Sequence, residues 1–141
     1  MRPIKYIVIH CTATPQDTKL QSIVNYWRNV LGWKNNGYHF IIDKNGNCSK
    51  ITPIDKIANG VKNKNANSIH IAYIGGIDNT GHSVDNRTLK QKESLLYYLR
   101  DLKSKFPKAK ILGHRDFPEV KKDCPCFNAS EEYENIFDIF G

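Results

Sequence analysis

His10 closes the short β-branched run Tyr6-Ile7-Val8-Ile9, and His114 follows a second one, Ala109-Lys110-Ile111-Leu112-Gly113, so two imidazoles stand at the tips of two strands near opposite ends of the chain. Cys124 follows His114 in a stretch containing two prolines that is long enough to fold back over a sheet edge. If the two strands are neighbours at the centre of the sheet, both tips come to one rim of an open α/β sheet, where sites of such folds gather. Two imidazoles and a thiolate suit a tetrahedral zinc that keeps its fourth position for water, the arrangement of a hydrolytic rather than a structural site. Spacing alone is a weak signal, since no short zinc motif such as His-Glu-x-x-His is present.

The rest of the chain fits one α/β domain spanning residues 1–141. A chain of 141 residues buries about two thirds of the surface its unfolded form exposes. Apolar positions Leu20, Ile23, Val24, Trp27, Val30 and Leu31 recur at helical spacing, predicting a helix over 19–31 with Thr18 as its N-cap and Gly32 as its stop. The segments 38–42 and 48–51 flank Asp43-Lys44-Asn45-Gly46-Asn47, a hairpin whose Asn-Gly pair tolerates positive φ. Residues 53–67 read as a surface loop, 68–74 as a strand, and 77–87 as a second polar loop. Thr88 and Gln91 form a capping box ahead of a long helix to Phe106. Beyond His114 the chain is irregular from 116 to 127. Asn128 and Glu131 then cap a final helix carrying Tyr133, Ile136, Phe137 and Phe140.

Composition narrows the partners without choosing one. The net charge of +7 favours something anionic. The lysines are scattered, with no basic helix and no interleaved aromatic stripe, which argues against specific nucleic-acid binding. Four cysteines are too few for a disulfide scaffold, and Cys124 and Cys126 are too close to close a useful loop, so all four are expected to be reduced. The first residues lack a cleavage site and no stretch reaches the roughly 18 apolar residues of a membrane span, so no signal peptide and no membrane span are expected.

Several motifs in order carry a resemblance. Val8-Ile9-His10-Cys11-Thr12-Ala13-Thr14, Gly32-Trp33, Gly37-Tyr38-His39-Phe40-Ile41-Ile42, Asn67-Ser68-Ile69, Gly75-Gly76-Ile77-Asp78, Gly113-His114-Arg115-Asp116 and Lys122-Asp123-Cys124-Pro125 resemble the type-2 zinc N-acetylmuramoyl-L-alanine amidases, which include amidase-type phage lysozymes. Peptidoglycan recognition proteins share that fold. The resemblance runs from Tyr6 to about Phe127 and implies a central mixed sheet flanked by helices, with a zinc-bearing groove on one face. It implies one zinc per chain held by His10, His114 and Cys124, with Tyr38 as active-site tyrosine and Lys122 as the basic residue of the phage-lysozyme branch. The implied reaction is hydrolysis of the amide between N-acetylmuramic acid and L-alanine in peptidoglycan. Without a visible exit signal, the chain is expected to reach the wall after lysis or dedicated export, as a monomer whose basic surface meets anionic wall polymers.

Elementary chemistry agrees with those roles: a Tyr38 phenol or Lys122 ammonium aimed at the developing oxyanion is worth about 2.7–4 kcal/mol each if it behaves as an ordinary oxyanion-hole donor. The competing readings are a peptidoglycan-binding module without hydrolysis and a regulator with a protein or nucleic-acid partner. The complete ligand set favours the enzyme. His39, next to Tyr38 in a predicted strand, should point to the opposite face in a structural or solvent role. His70 and His82 lack partner spacing and are assigned no function. Cys11 is expected as a small buried residue and Cys126 as a packed or spare thiol. The loop Ala58-Asn59-Gly60-Val61-Lys62-Asn63 lacks the histidine many relatives place there, so Lys62 and Lys64 are the candidates to meet stem-peptide carboxylates.

Overall fold

The computed structural model describes residues 1–139, and Phe140, expected on the last helix, lies outside the described residues. Five strands form one mixed sheet in the order β3-β2-β4-β1-β5. They are β1 (Tyr6–Cys11), β2 (Phe40–Ile42), β3 (Cys48–Lys50), β4 (Ser68–Tyr73) and β5 (Lys110–Gly113). β1 runs parallel to both β4 and β5, and β2 runs parallel to β4 and antiparallel to β3. β1 and β4 are covered on both faces, which is why they read as nearly unbroken apolar runs rather than as alternating ones. β5 is an edge strand rather than a central one, and that leaves the chain after it free to fold back over the rim.

One face of the sheet is sealed by α2 (Leu89–Lys105). Ile7, Ile9 and Cys11 of β1, with Ile69, Ile71 and Tyr73 of β4, pack there against Leu95, Leu99 and Leu102. The capping box forms as expected, Gln91 N–H donating to Thr88 Oγ1 and Thr88 N–H to Gln91 Oε1. The other face is covered in two separate patches. Ile23 and Trp27 lie over Ile41, Ala72 and Ile74, while Val61 and Phe117 lie over Val8. His10 points to this second face between the patches, so incomplete cover of an otherwise sealed sheet opens the groove at that point.

Local chemistry moves several predicted boundaries. The first helix is α1 (Leu20–Asn25), continued by a single π turn over Tyr26–Val30 in which Leu31 N–H reaches Tyr26 O at 3.0 Å. Lys19 rather than Thr18 occupies the N-cap, and its ammonium, a donor only, gives no side-chain cap, while Thr18 belongs to the preceding turn through its N–H to Pro15 O. The hairpin turn closes as expected, with Gly46 at φ +84° and Asp43 Oδ1 accepting from Asn45 and Asn47 N–H. The last helix shrinks to α3 (Ala129–Glu132), capped by Asn128. Tyr133 and Ile136, three residues apart, are both buried, and the chain reaches the second through a 3₁₀ turn, Ile136–Asp138. Arg87 grips Glu132 with two parallel bonds of 2.8 and 2.9 Å, which fastens α3 to the start of α2.

Candidate metal centre

Parallel pairing of β1 with β5 carries His10 and His114 to the same rim, since His10 is the penultimate residue of β1 and His114 directly follows β5. Their Nδ1 atoms are 3.3 Å apart. Cys124 Sγ stands 4.0 Å from His10 Nδ1, and the three potential ligand atoms lie within 4.8 Å of one another. A tetrahedral zinc with bonds of about 2.1 Å to nitrogen and 2.3 Å to sulfur requires separations of about 3.4 Å between nitrogens and 3.6 Å from nitrogen to sulfur. The donor set therefore matches the ion in chemistry, and the two separations from His10 Nδ1, 3.3 and 4.0 Å, fall within about half an ångström of those values.

The two sides of the cluster are fixed by different means. His10 is 1% exposed and held by its strand. Cys124 is held by backbone: Arg115 N–H donates to Cys124 O at 2.8 Å, and Cys11 N–H donates to Cys124 Sγ at 3.1 Å. Pro125, after a cis peptide bond, packs so closely on Gly113 that a Cβ there would meet it at 2.8 Å. Burial holds the His10 imidazole well below its ordinary pKa, with the neighbouring histidines and Lys122 adding to the effect. Burial, aided by Lys122, takes His114 down to about 4. Both rings thus keep free lone pairs at neutral pH.

Tyr38 comes to the cluster by a route that strand alternation misses. It precedes β2, and its ring lies between Trp27, at 5.4 Å edge to face, and His10, at 5.0 Å, with its hydroxyl donating to Cys11 O at 3.3 Å. Gly37 makes this possible, because a Cβ there would stand 2.9 Å from the Trp27 ring. Burial raises the Tyr38 pKa well above its ordinary value, with Cys124 and Cys11 contributing, so it is a neutral donor. His39 does not point away as predicted: it sits beside β4, its ring stacked 5.8 Å from His70. Its Nδ1 accepts the His70 N–H and its Nε2 donates to Lys56 O, a structural role as expected, though by different geometry.

His10, His114, Cys124, Tyr38 and Lys122 all line one groove of about 810 Å³, which runs from the cluster to α1 and its π turn. Trp27, Leu31 and Trp33 supply apolar wall, and Thr12, Thr14, Thr18 and Ser22 supply hydroxyls. Lys62 and Lys64 do not line it, whereas Asn59 and Gly60 do. Cys11 is buried and Cys126 turns away from the cluster, its Sγ 3.8 Å from Cys11 Sγ and donating to Gly76 O. All four cysteines are free. His82 is exposed beside Asp78 and Thr80. Sequence reasoning missed His70 and Asn65, which continue from His10 as a line of hydrogen bonds. Their only signal was a polar residue inside an apolar strand.

Comparison with known proteins gives concordant results. The family described as N-acetylmuramoyl-L-alanine amidase matches residues 1–127. The endolysin of Enterobacteria phage K11 is 34% identical over 122 residues, covering 85% of this chain and 79% of its own length. The Ph2119 endolysin from a Thermus scotoductus bacteriophage superposes with a TM-score of 0.81 at 26% identity, over 96% of this chain and 86% of its own. Bumblebee PGRP-SA has a TM-score of 0.77 at 20% identity over 96% and 83%, a likeness of fold.

Proposed function

Because the chain belongs to the N-acetylmuramoyl-L-alanine amidase family, we propose that it is a zinc-dependent, endolysin-like enzyme that cuts the bond between N-acetylmuramic acid and L-alanine in peptidoglycan after lysis opens access to the wall. The observation that supports the zinc reading is the meeting of His10, His114 and Cys124 with their ligand atoms within 4.8 Å of one another, a donor set that suits a tetrahedral ion with one open position. Zinc held there supplies a water of lowered pKa and a Lewis acid for the amide carbonyl.

The remaining work falls to the chain's own groups. The groove has room for a sugar–peptide segment, with indole and leucine wall against sugar faces and threonine hydroxyls toward amide and hydroxyl groups. Tyr38, neutral and braced by Trp27, exchanges its long bond to Cys11 O for one to the oxyanion that develops as the carbonyl is attacked. Lys122, exposed on the loop two residues before Cys124, brings a positive charge to the same mouth and a proton for the leaving amine. The complete donor set favours hydrolysis over binding alone. Digestion of purified peptidoglycan tests the assignment: new L-alanine amino termini are expected, whereas new reducing sugars would mean a glycosidase, and no new ends a binding module.

A further inference from the structure

We propose that His70 is a positioning residue that selects which nitrogen of His10 faces the metal, through a hydrogen-bond line that begins at a backbone N–H of the loop before β4. This rests on the zinc reading above. Val61 N–H donates to Asn65 Oδ1 at 2.8 Å, and since a peptide N–H can only donate, the Asn65 atom there is its oxygen. The same oxygen lies 2.8 Å from His70 Nε2, so that nitrogen carries the proton. His70 Nδ1 is then a bare lone pair, 2.9 Å from His10 Nε2, which must donate to it. Both rings are buried, each spends its Nε2 proton within this line, and neither has a carboxylate neighbour to hold a second proton. With its Nε2 protonated, His10 is left with one lone pair, on Nδ1, the atom 3.3 Å from His114 Nδ1.

The seat of His70 is built for this orientation. His39 lies nearly parallel to its ring, 17° between planes, and accepts its backbone N–H at 2.9 Å. On the loop side Gly60 leaves space that any Cβ would fill, at 2.3 Å from His70 Nδ1. Metal-binding histidines usually pass their second N–H to a carboxylate, a carbonyl or water, and that outer partner fixes tautomer and aim. Here the acceptor is a neutral imidazole, which orients His10 without adding negative charge behind it.

Two measurements test the inference. Long-range ¹H–¹⁵N imidazole correlations on the unmodified, zinc-free protein should place the proton on Nε2 of both His10 and His70. Zinc dissociation constants from competition with a chromophoric chelator should rise by about 10–100-fold in His70→Ala. In His70→Gln, whose amide oxygen can accept from His10 Nε2, part of that loss should be recovered. A His10 proton on Nδ1 in the zinc-free protein, or a folded His70→Ala that binds zinc within threefold of the parent, would overturn it. Should His70→Ala fail to fold, the nitrogen assignment and His70→Gln decide. Parental protein that binds no zinc would overturn the zinc reading and this inference together, whereas zinc bound equally by parent and variant would overturn this inference alone.

Discussion

His10 arrives at the cluster from inside the sheet, paired with Ala72 of β4 on a strand flanked by β4 and β5, and tied to His70 behind it. Cys124 arrives from an irregular loop, held by two backbone N–H groups and a proline wedged on Gly113. The sheet side fixes orientation before any ligand arrives. The loop side supplies the sulfur and the Lys122 side chain, from an irregular segment pinned to the sheet at points, by Phe117 over Val8 and by the bonds at Cys124. A site divided this way can lose metal from one side without unfolding, and lose fold from the other.

The largest expected effect exploits that division. Cys124→Ala should release zinc and lower peptidoglycan cleavage by about a thousandfold or more, the consequence of losing several kcal/mol of charge stabilisation. The metal-free variant should melt within about 1 kcal/mol of the metal-free parent. His10→Ala should also release zinc but should further destabilise the metal-free fold by about 1–3 kcal/mol, because it strands the buried His70 Nδ1 without a donor. Equal melting of the two metal-free variants would erase the distinction between the sides. A chelator should abolish activity of the parent well before it unfolds, since the core lies beneath α2 and not around the metal.

Next in size are the groups assigned to the transition state. Tyr38→Phe and Lys122→Ala should each lower turnover by about 10²–10³-fold with zinc content unchanged. The sheltered Tyr38 should have the larger effect, because the exposed Lys122 shares its position with water. Parental rates in both variants would remove them from the mechanism, and loss of zinc would make them supports of the site instead.

The sheet side has its own acid sensitivity. Burial takes His39 down to about 4 in the folded protein against its ordinary 6.5. Between those values the unfolded chain binds the proton that the folded chain refuses, so stability is full above about 6.5 and falls as pH drops toward 4. The slope from this one group is about 1.4 kcal/mol per pH unit, summing to about 3 kcal/mol. Urea midpoints of the metal-free protein across that range should fall with acidification, and His39→Gln should flatten the fall by about one proton's worth. An unchanged slope would mean that His39 is not held neutral by burial.

Much of this was legible in the sequence, and unevenly. Apolar runs ending in His10 and His114 announced two strands whose parallel neighbourhood brings both histidines to one rim, and Thr88 with Gln91 announced α2. Tyr38 was singled out in the sequence but misplaced in its strand, because the chain bends ahead of Phe40 so that Tyr38 can lie on Trp27. The π turn is invisible to helical periodicity, which has no means of marking one inserted residue. His70 was set aside since its meaning depends on register: only the pairing of Val8 with His70 and His10 with Ala72 puts both rings on one face. Asn65 acts through Val61 within a loop, where no pattern announces a side chain's partner.

The smallest effect concerns the exposed surface against the sheltered groove. A net charge of +7 should draw the protein to anionic wall polymers, and this attraction acts between solvent-exposed charges that salt screens over a Debye length of about 8 Å near 0.15 M. Binding to intact sacculi should therefore weaken several-fold as salt is raised, as expected when many exposed pairs each contribute a fraction of a kcal/mol. Cleavage of a small soluble muropeptide should change much less, because the groups that act on its amide sit at contact distance in a groove walled by Trp27, Leu31 and Trp33. Sedimentation with sacculi and turnover on the muropeptide, measured across the same salt series, separate the two. Equal salt sensitivity in both would deny the basic surface its targeting role and place the electrostatics inside the groove, with Lys122 as the first residue to examine.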